Sequence, residues 1–138
     1  MKQHTTNYIN TFIEASEDCP VSKGELPPEK KVKTLAKLQF EYLAKKPYQY
    51  TSDELLFECY VIKNDIPESE KEEEKLKFFS KGQPCLRSSP LAKRYGFGFH
   101  HNLEGKIAIY PLESEEYQTL LNDKSITKVK AMRSKKAN

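Results

Sequence analysis

The chain has no tryptophan, and its 138 residues include only three cysteines and three histidines. Cys19, Cys59 and Cys85 are odd in number and irregularly spaced, which excludes a closed disulfide framework and a CxxC metal or redox motif. Reduced thiols are expected. His4, His100 and His101 do not recur at helical zinc-ligand spacing, so neither a metal nor another cofactor is expected. No apolar run approaches the roughly 20 residues that span a bilayer, and residues 1–10 lack a basic-then-apolar secretion signal. The expectation is a cytoplasmic protein with no membrane partner. Glycine-rich phosphate loops, GxSxG, HExxH and the dinucleotide fingerprint are all missing, which removes the common catalytic grammars.

What is present suits one domain over 1–138. The apolar fraction is 37%, but eight tyrosines and seven phenylalanines supply large areas for a core. Charge is segregated. Between Asp65 and Glu74 stand six acids against Lys71 alone, whereas 75–103 holds six bases and no acid. The last fifteen residues add Lys124, Lys128, Lys130, Arg133, Lys135 and Lys136; without these six the formal charge of +3 becomes −3.

β-branched and aromatic content predicts a strand over 8–15, followed by a Pro- and Gly-bearing loop over 16–29. Val32, Leu35, Ala36, Gln39, Tyr42 and Leu43 recur at 3.6-residue spacing and predict a helix over 30–45. Thr51-Ser52-Asp53-Glu54 has the form of a capping box and starts a helix over 51–63, although the apolar run 55–62 also suits a buried strand. Pro67 at the start, acids in the first turns, lysines near the end and Gly82 beyond it predict a third helix over 67–81. From Arg94 to His100 aromatics alternate with Gly96, Gly98 and His100, which is strand periodicity. With Lys106-Ile107-Ala108-Ile109-Tyr110 it forms an antiparallel hairpin across a loop of about five residues. Ser114 caps a last helix over 115–122. The basic tail, 124–138, either frays or docks a final turn or strand through Ile126, Val129 and Met132. The fold class is α+β: a small antiparallel sheet, made of the N-terminal strand and the hairpin near 94–110, packed on one face by three or four helices.

Blocks spread over the whole chain carry a family resemblance. They include Asn7-Tyr8-Ile9-Asn10-Thr11-Phe12-Ile13, Asp18-Cys19-Pro20, Pro47-Tyr48-Gln49-Tyr50-Thr51-Ser52-Asp53, Phe78-Phe79-Ser80-Lys81-Gly82-Gln83, Cys85-Leu86-Arg87-Ser88-Ser89-Pro90-Leu91, Lys93-Arg94-Tyr95-Gly96 and Lys130-Ala131-Met132-Arg133-Ser134-Lys135. Through them the chain resembles the bacterial proteins grouped as domain of unknown function 6157. The resemblance implies a bacterial source and lends no reaction, ligand or catalytic residue to these positions. Phe97 stands where the resemblance implies Trp, one large aromatic for another.

The segment 81–101 concentrates cations, hydroxyls and both internal histidines, and an anion is the ligand it favours. Arg87 can grip a carboxylate or phosphate with two bonds, Ser88 and Ser89 can add hydroxyl donors, and Lys93 and Arg94 can supply charge. The glycine side of the 94–100 strand suggests a concavity beside His100, rimmed by Arg87 and Arg94, whose charges would disfavour imidazole protonation. Binding of an anionic small molecule or an acidic partner is therefore the leading expectation. Nucleic-acid binding is a second reading, through the basic segments 75–103 and 124–136, with Tyr95, Phe97 and Phe99 as stacking surfaces. A third is an enzyme in which Cys85 is the nucleophile and His100 its base. For Cys85 the bland alternative is a small packed thiol; for the aromatics it is a core face.

Overall fold

The computed structural model describes residues 2–135. Its first strand, β1 (Thr11–Glu14), carries Phe12 and Ile13 side by side. Neighbouring strand residues face opposite ways, and both of these are fully buried, so both faces of the sheet need cover. β2 (Phe97–His101) pairs antiparallel with β1 and with β3 (Ile107–Pro111), while β4 (Thr127–Lys130) runs parallel to β1 on its other side. The order is β3-β2-β1-β4. The register aligns Ile13 with Phe99 and Val129, and Phe99 with Ile109, on one face; Phe12 aligns with His100, and His100 with Ala108, on the other.

Two expectations about the sheet change, and one holds. β1 begins at Thr11, because Asn10 turns the chain with φ 50°. The sheet is mixed, since the basic tail supplies a parallel fourth strand. Lys136 lies outside the described residues. The expected five-residue connection of the hairpin is present, with Gly105 at φ 78°.

α1 (Leu35–Lys45) starts five residues later than its apolar spacing suggests, where the Thr34 hydroxyl accepts the Lys37 N–H. Val32 lies outside it and is 74% exposed. In α2 (Ser52–Lys63) the capping box is complete: Thr51 accepts the Glu54 N–H and the Glu54 carboxylate accepts the Thr51 N–H. The apolar run is helical and apolar on two sides because α2 is sandwiched. Leu55, Leu56 and Cys59 join the main core, while Phe57 and Val61 meet Phe79.

The third helix is split into a 3₁₀ turn, Glu68–Glu70, and α3 (Lys71–Phe79). Phe79 is its one buried side chain, and it packs on α2 instead of on the sheet. The sheet is instead reached by a short helix that the sequence did not announce, α4 (Pro90–Lys93), capped by Ser89 and burying Leu91 and Ala92 completely. α5 (Glu115–Asn122), capped by Ser114, covers the second face through Tyr117, Leu120 and Leu121, so helices pack on both faces and not on one. Among the described residues, no helix is long and apolar enough to cross a membrane.

The second face is tightly filled where the glycine lies. A Cβ on Gly98 would stand 2.5 Å from Phe12 Cζ and 2.8 Å from Tyr117 Cε2. Gly98→Ala should therefore destabilise the fold by about 1–3 kcal/mol, read as a lower urea midpoint. Adding Phe12→Leu should cost less in that variant than in the parent, because it vacates the position the new methyl needs; strictly additive costs would contradict this packing account.

Candidate functional site

The residues that the sequence nominates for an anion go to different places. The Arg87 Nε donates to the Lys130 carbonyl at 2.8 Å, and the Arg87 carbonyl accepts the Met132 N–H at 2.8 Å, so Arg87 secures the end of β4. Ser88 Oγ donates to the Cys85 carbonyl at 2.8 Å. Ser89 is buried and caps α4. Lys93 is half-buried and Arg94 exposed, and neither forms an ion pair among the described residues. His100 is on the second face of the sheet, where its Nδ1 lies 2.8 Å from the Tyr48 hydroxyl, itself 2.9 Å from that of Tyr110.

The two glycines that precede His100 face filled space. Phe12 and Tyr117 occupy the space over Gly98, and at Gly96, with φ 79°, the Lys23 carbonyl oxygen approaches to 2.8 Å of where a Cβ would be. Protonation of His100 is disfavoured, as expected, but the cause is burial and not Arg87 or Arg94; Asp123 acts in the opposite direction. Burial also raises the Tyr48 hydroxyl well above its ordinary range, with its bond to Tyr110 adding to the effect.

Cys85 and His100 are not brought together. The Cys85 Sγ lies 3.4 Å from the Tyr8 hydroxyl, and Tyr8 packs edge-on against His101 with ring centroids 5.4 Å apart. The imidazole on the thiol's side of the sheet is thus the next residue along the chain. His101 is fully buried, and neither ring nitrogen has a hydrogen-bond partner. Burial pushes its pKa down to about 4, and the nearby carbonyls of Phe99 and Thr11 offset only part of that.

A groove lies elsewhere, between the helices. α1, α2, α3 and the segment 83–90 enclose a groove of about 560 Å³, within the usual range for small-molecule sites. Its walls are apolar through Leu35, Leu56, Tyr60, Phe78, Pro84 and Pro90. Polar groups come from Gln39, Asn64, Gln83, Cys85, Ser88 and Ser89, and Lys63 is the single charged residue lining it. Of the sequence candidates the groove gathers Cys85, Ser88 and Ser89. It omits Arg87, Lys93, Arg94 and His100. Sequence reasoning missed Gln39 and Lys63 because both sit on helices whose spacing reads as core stripe and solvated rim.

The fold and groove define an α+β domain with a mixed sheet covered on both faces and a helix-walled pocket beside it. A family model described as a family of unknown function (DUF6157) matches residues 3–137, and the chain belongs to that family. Searches of curated proteins and of solved structures gave no match.

The buried His101 has a measurable consequence. Its pKa falls from the ordinary value near 6.5 to about 4 in the folded chain, so its neutral form is the one compatible with folding. Its contribution is intact above pH 6.5 and is lost as pH falls toward 4, by on the order of 3 kcal/mol. Between pH 7 and pH 4 the unfolding free energy of the parent should drop by that much more than that of His101→Phe. The depressed His100 and the carboxylates are common to both proteins and cancel in the difference. Parallel pH profiles would contradict the assignment.

Proposed function

We propose that the chain is a cytoplasmic binding domain for a small, largely apolar molecule bearing one anionic group, held in the groove beside Cys85. The observation that carries this reading is the pairing of about 560 Å³ of apolar-walled space with one lining cation, Lys63. The reading keeps the anionic ligand suggested by the sequence and moves it from the Arg87–Arg94 region to the helices. Three free thiols suit a reducing compartment.

The rival readings have less support. Lys130 and Arg133 pair with Glu17, and Lys77 with Glu73 and Glu74, which reduces the charge available to phosphates. Phe97 and Phe99 are core residues at 6% and 0% exposure, so they offer no face to a base. A Cys85–His100 mechanism would require two groups that lie on opposite sides of the sheet.

Anilinonaphthalene sulfonate, an apolar ring system with one anionic group, is a suitable probe. Its fluorescence should rise with the native chain, and decanoate should displace it. Lys63→Gln should weaken decanoate by about fivefold, the worth of one exposed charge contact. Decanoate should also slow alkylation of Cys85 by iodoacetamide, since the thiol lines the same groove. Decanoate that neither displaces the dye nor shields Cys85 would overturn the reading. Binding of a DNA oligonucleotide that weakens steeply with salt would favour nucleic acid instead.

A further inference from the structure

One donor in the groove has its direction set by the fold. Gln39, on α1, is 1% exposed and lines the groove. Ser89 Oγ accepts the Leu91 N–H at 3.2 Å as the cap of α4, so its single proton is available to Gln39 Oε1, 2.6 Å away. A carboxamide whose oxygen is held by Ser89 turns its nitrogen away from Ser89. Among the described residues, that Nε2 donates to no protein group. A ligand that covers this N–H without offering an acceptor strands it at a desolvation cost, whereas a ligand carbonyl returns the bond.

We propose that Gln39 determines specificity in the groove by donating from Nε2 to a carbonyl oxygen of the ligand, so that carbonyl-bearing apolar molecules are chosen over hydrocarbons of equal shape. The inference rests on the groove reading above and narrows its ligand to an apolar molecule with an internal carbonyl and an anionic end near Lys63. Apolar walls alone discriminate poorly between isosteres, whereas a buried donor left unpaired by the wrong ligand discriminates well.

The test compares 2-octanone with 2-methyl-1-octene, in which C=CH₂ replaces C=O, on the full chain. The ketone should displace anilinonaphthalene sulfonate at about tenfold lower concentration, the effect of one hydrogen bond. The Gln39 side-chain amide proton resonances should move with the ketone and not with the alkene. Gln39→Met should abolish the preference. Because that change strands the Ser89 hydroxyl, the double variant Gln39→Met, Ser89→Ala is the companion, in which both partners are removed together; it too should bind the two probes alike. Equal displacement by both probes in the parent, with the Gln39 resonances unmoved, would overturn the role of Gln39 while leaving the groove reading intact. Failure of both probes and of decanoate to displace the dye would overturn both.

Discussion

The structure depends on the burial of both faces of β1. Phe12 and Ile13 are adjacent, point in opposite directions and are both fully excluded from solvent. No single helical layer can satisfy such a strand. Ile13 is covered by the core that α1, α2 and α4 share with the sheet, and Phe12 by α5 and Ile126. The Phe12 ring meets Tyr117 edge-on, with centroids 4.9 Å apart, and the Tyr117 hydroxyl accepts the Ala15 N–H at 2.9 Å just beyond the strand. One tyrosine thus fills the apolar layer and satisfies a backbone donor that the sheet leaves unpaired. β1 has partners on both sides, and this interior position explains why four residues suffice.

The same alternation sorts the chemistry. His100 and His101 are neighbours in sequence, yet one joins a hydroxyl network with Tyr48 and Tyr110 while the other sits without a partner against Tyr8. A histidine pair that looks in sequence like one polar feature is two separate environments. The Cys85–His100 idea fails on this parity, since a single step along a strand exchanges the faces.

Local signals were legible and distant partners were not. Thr51 with Glu54, Ser114 with the acids after it, and Gly105 in the hairpin act within a few residues, and each reads correctly from sequence. β4 is only half-buried, alternates its lysines with Thr127 and Val129, and is held by a strand more than a hundred positions away. α4 has four residues and owes its existence to Ser89, Pro90 and the core it enters. Arg87 shows the same limit for the site. Its Nε is taken by a backbone carbonyl 43 residues away, and no side-chain pattern reveals such a partner. The groove is harder still, because it is a gap between helices and each wall residue is ordinary on its own element.

Why a gap persists there follows from how α3 is held. With Phe79 as its only buried side chain, α3 has too little apolar surface to draw itself onto α1 and the sheet. Its position is set by the packing of Phe78 and Phe79 on Phe57 and Tyr60 of α2 together with hydrogen bonds from the N-terminal segment. The His4 N–H donates to the Phe79 carbonyl at 2.8 Å, and Gln3 Nε2 donates to the Leu76 carbonyl. That segment is anchored in turn at the start of α2, where the Asp53 carboxylate accepts the Thr6 N–H and the Thr5 and Thr6 hydroxyls, each at 2.7 Å, and the Thr6 hydroxyl meets that of the buried Ser52. Ring packing on α2 and these directional bonds together fix where α3 stands. Phe78 is thereby turned onto the Phe57 and Tyr60 rings of α2, with centroids 5.8 and 4.7 Å away, and forms one wall of the groove that Leu35, Leu56 and Gln39 also line.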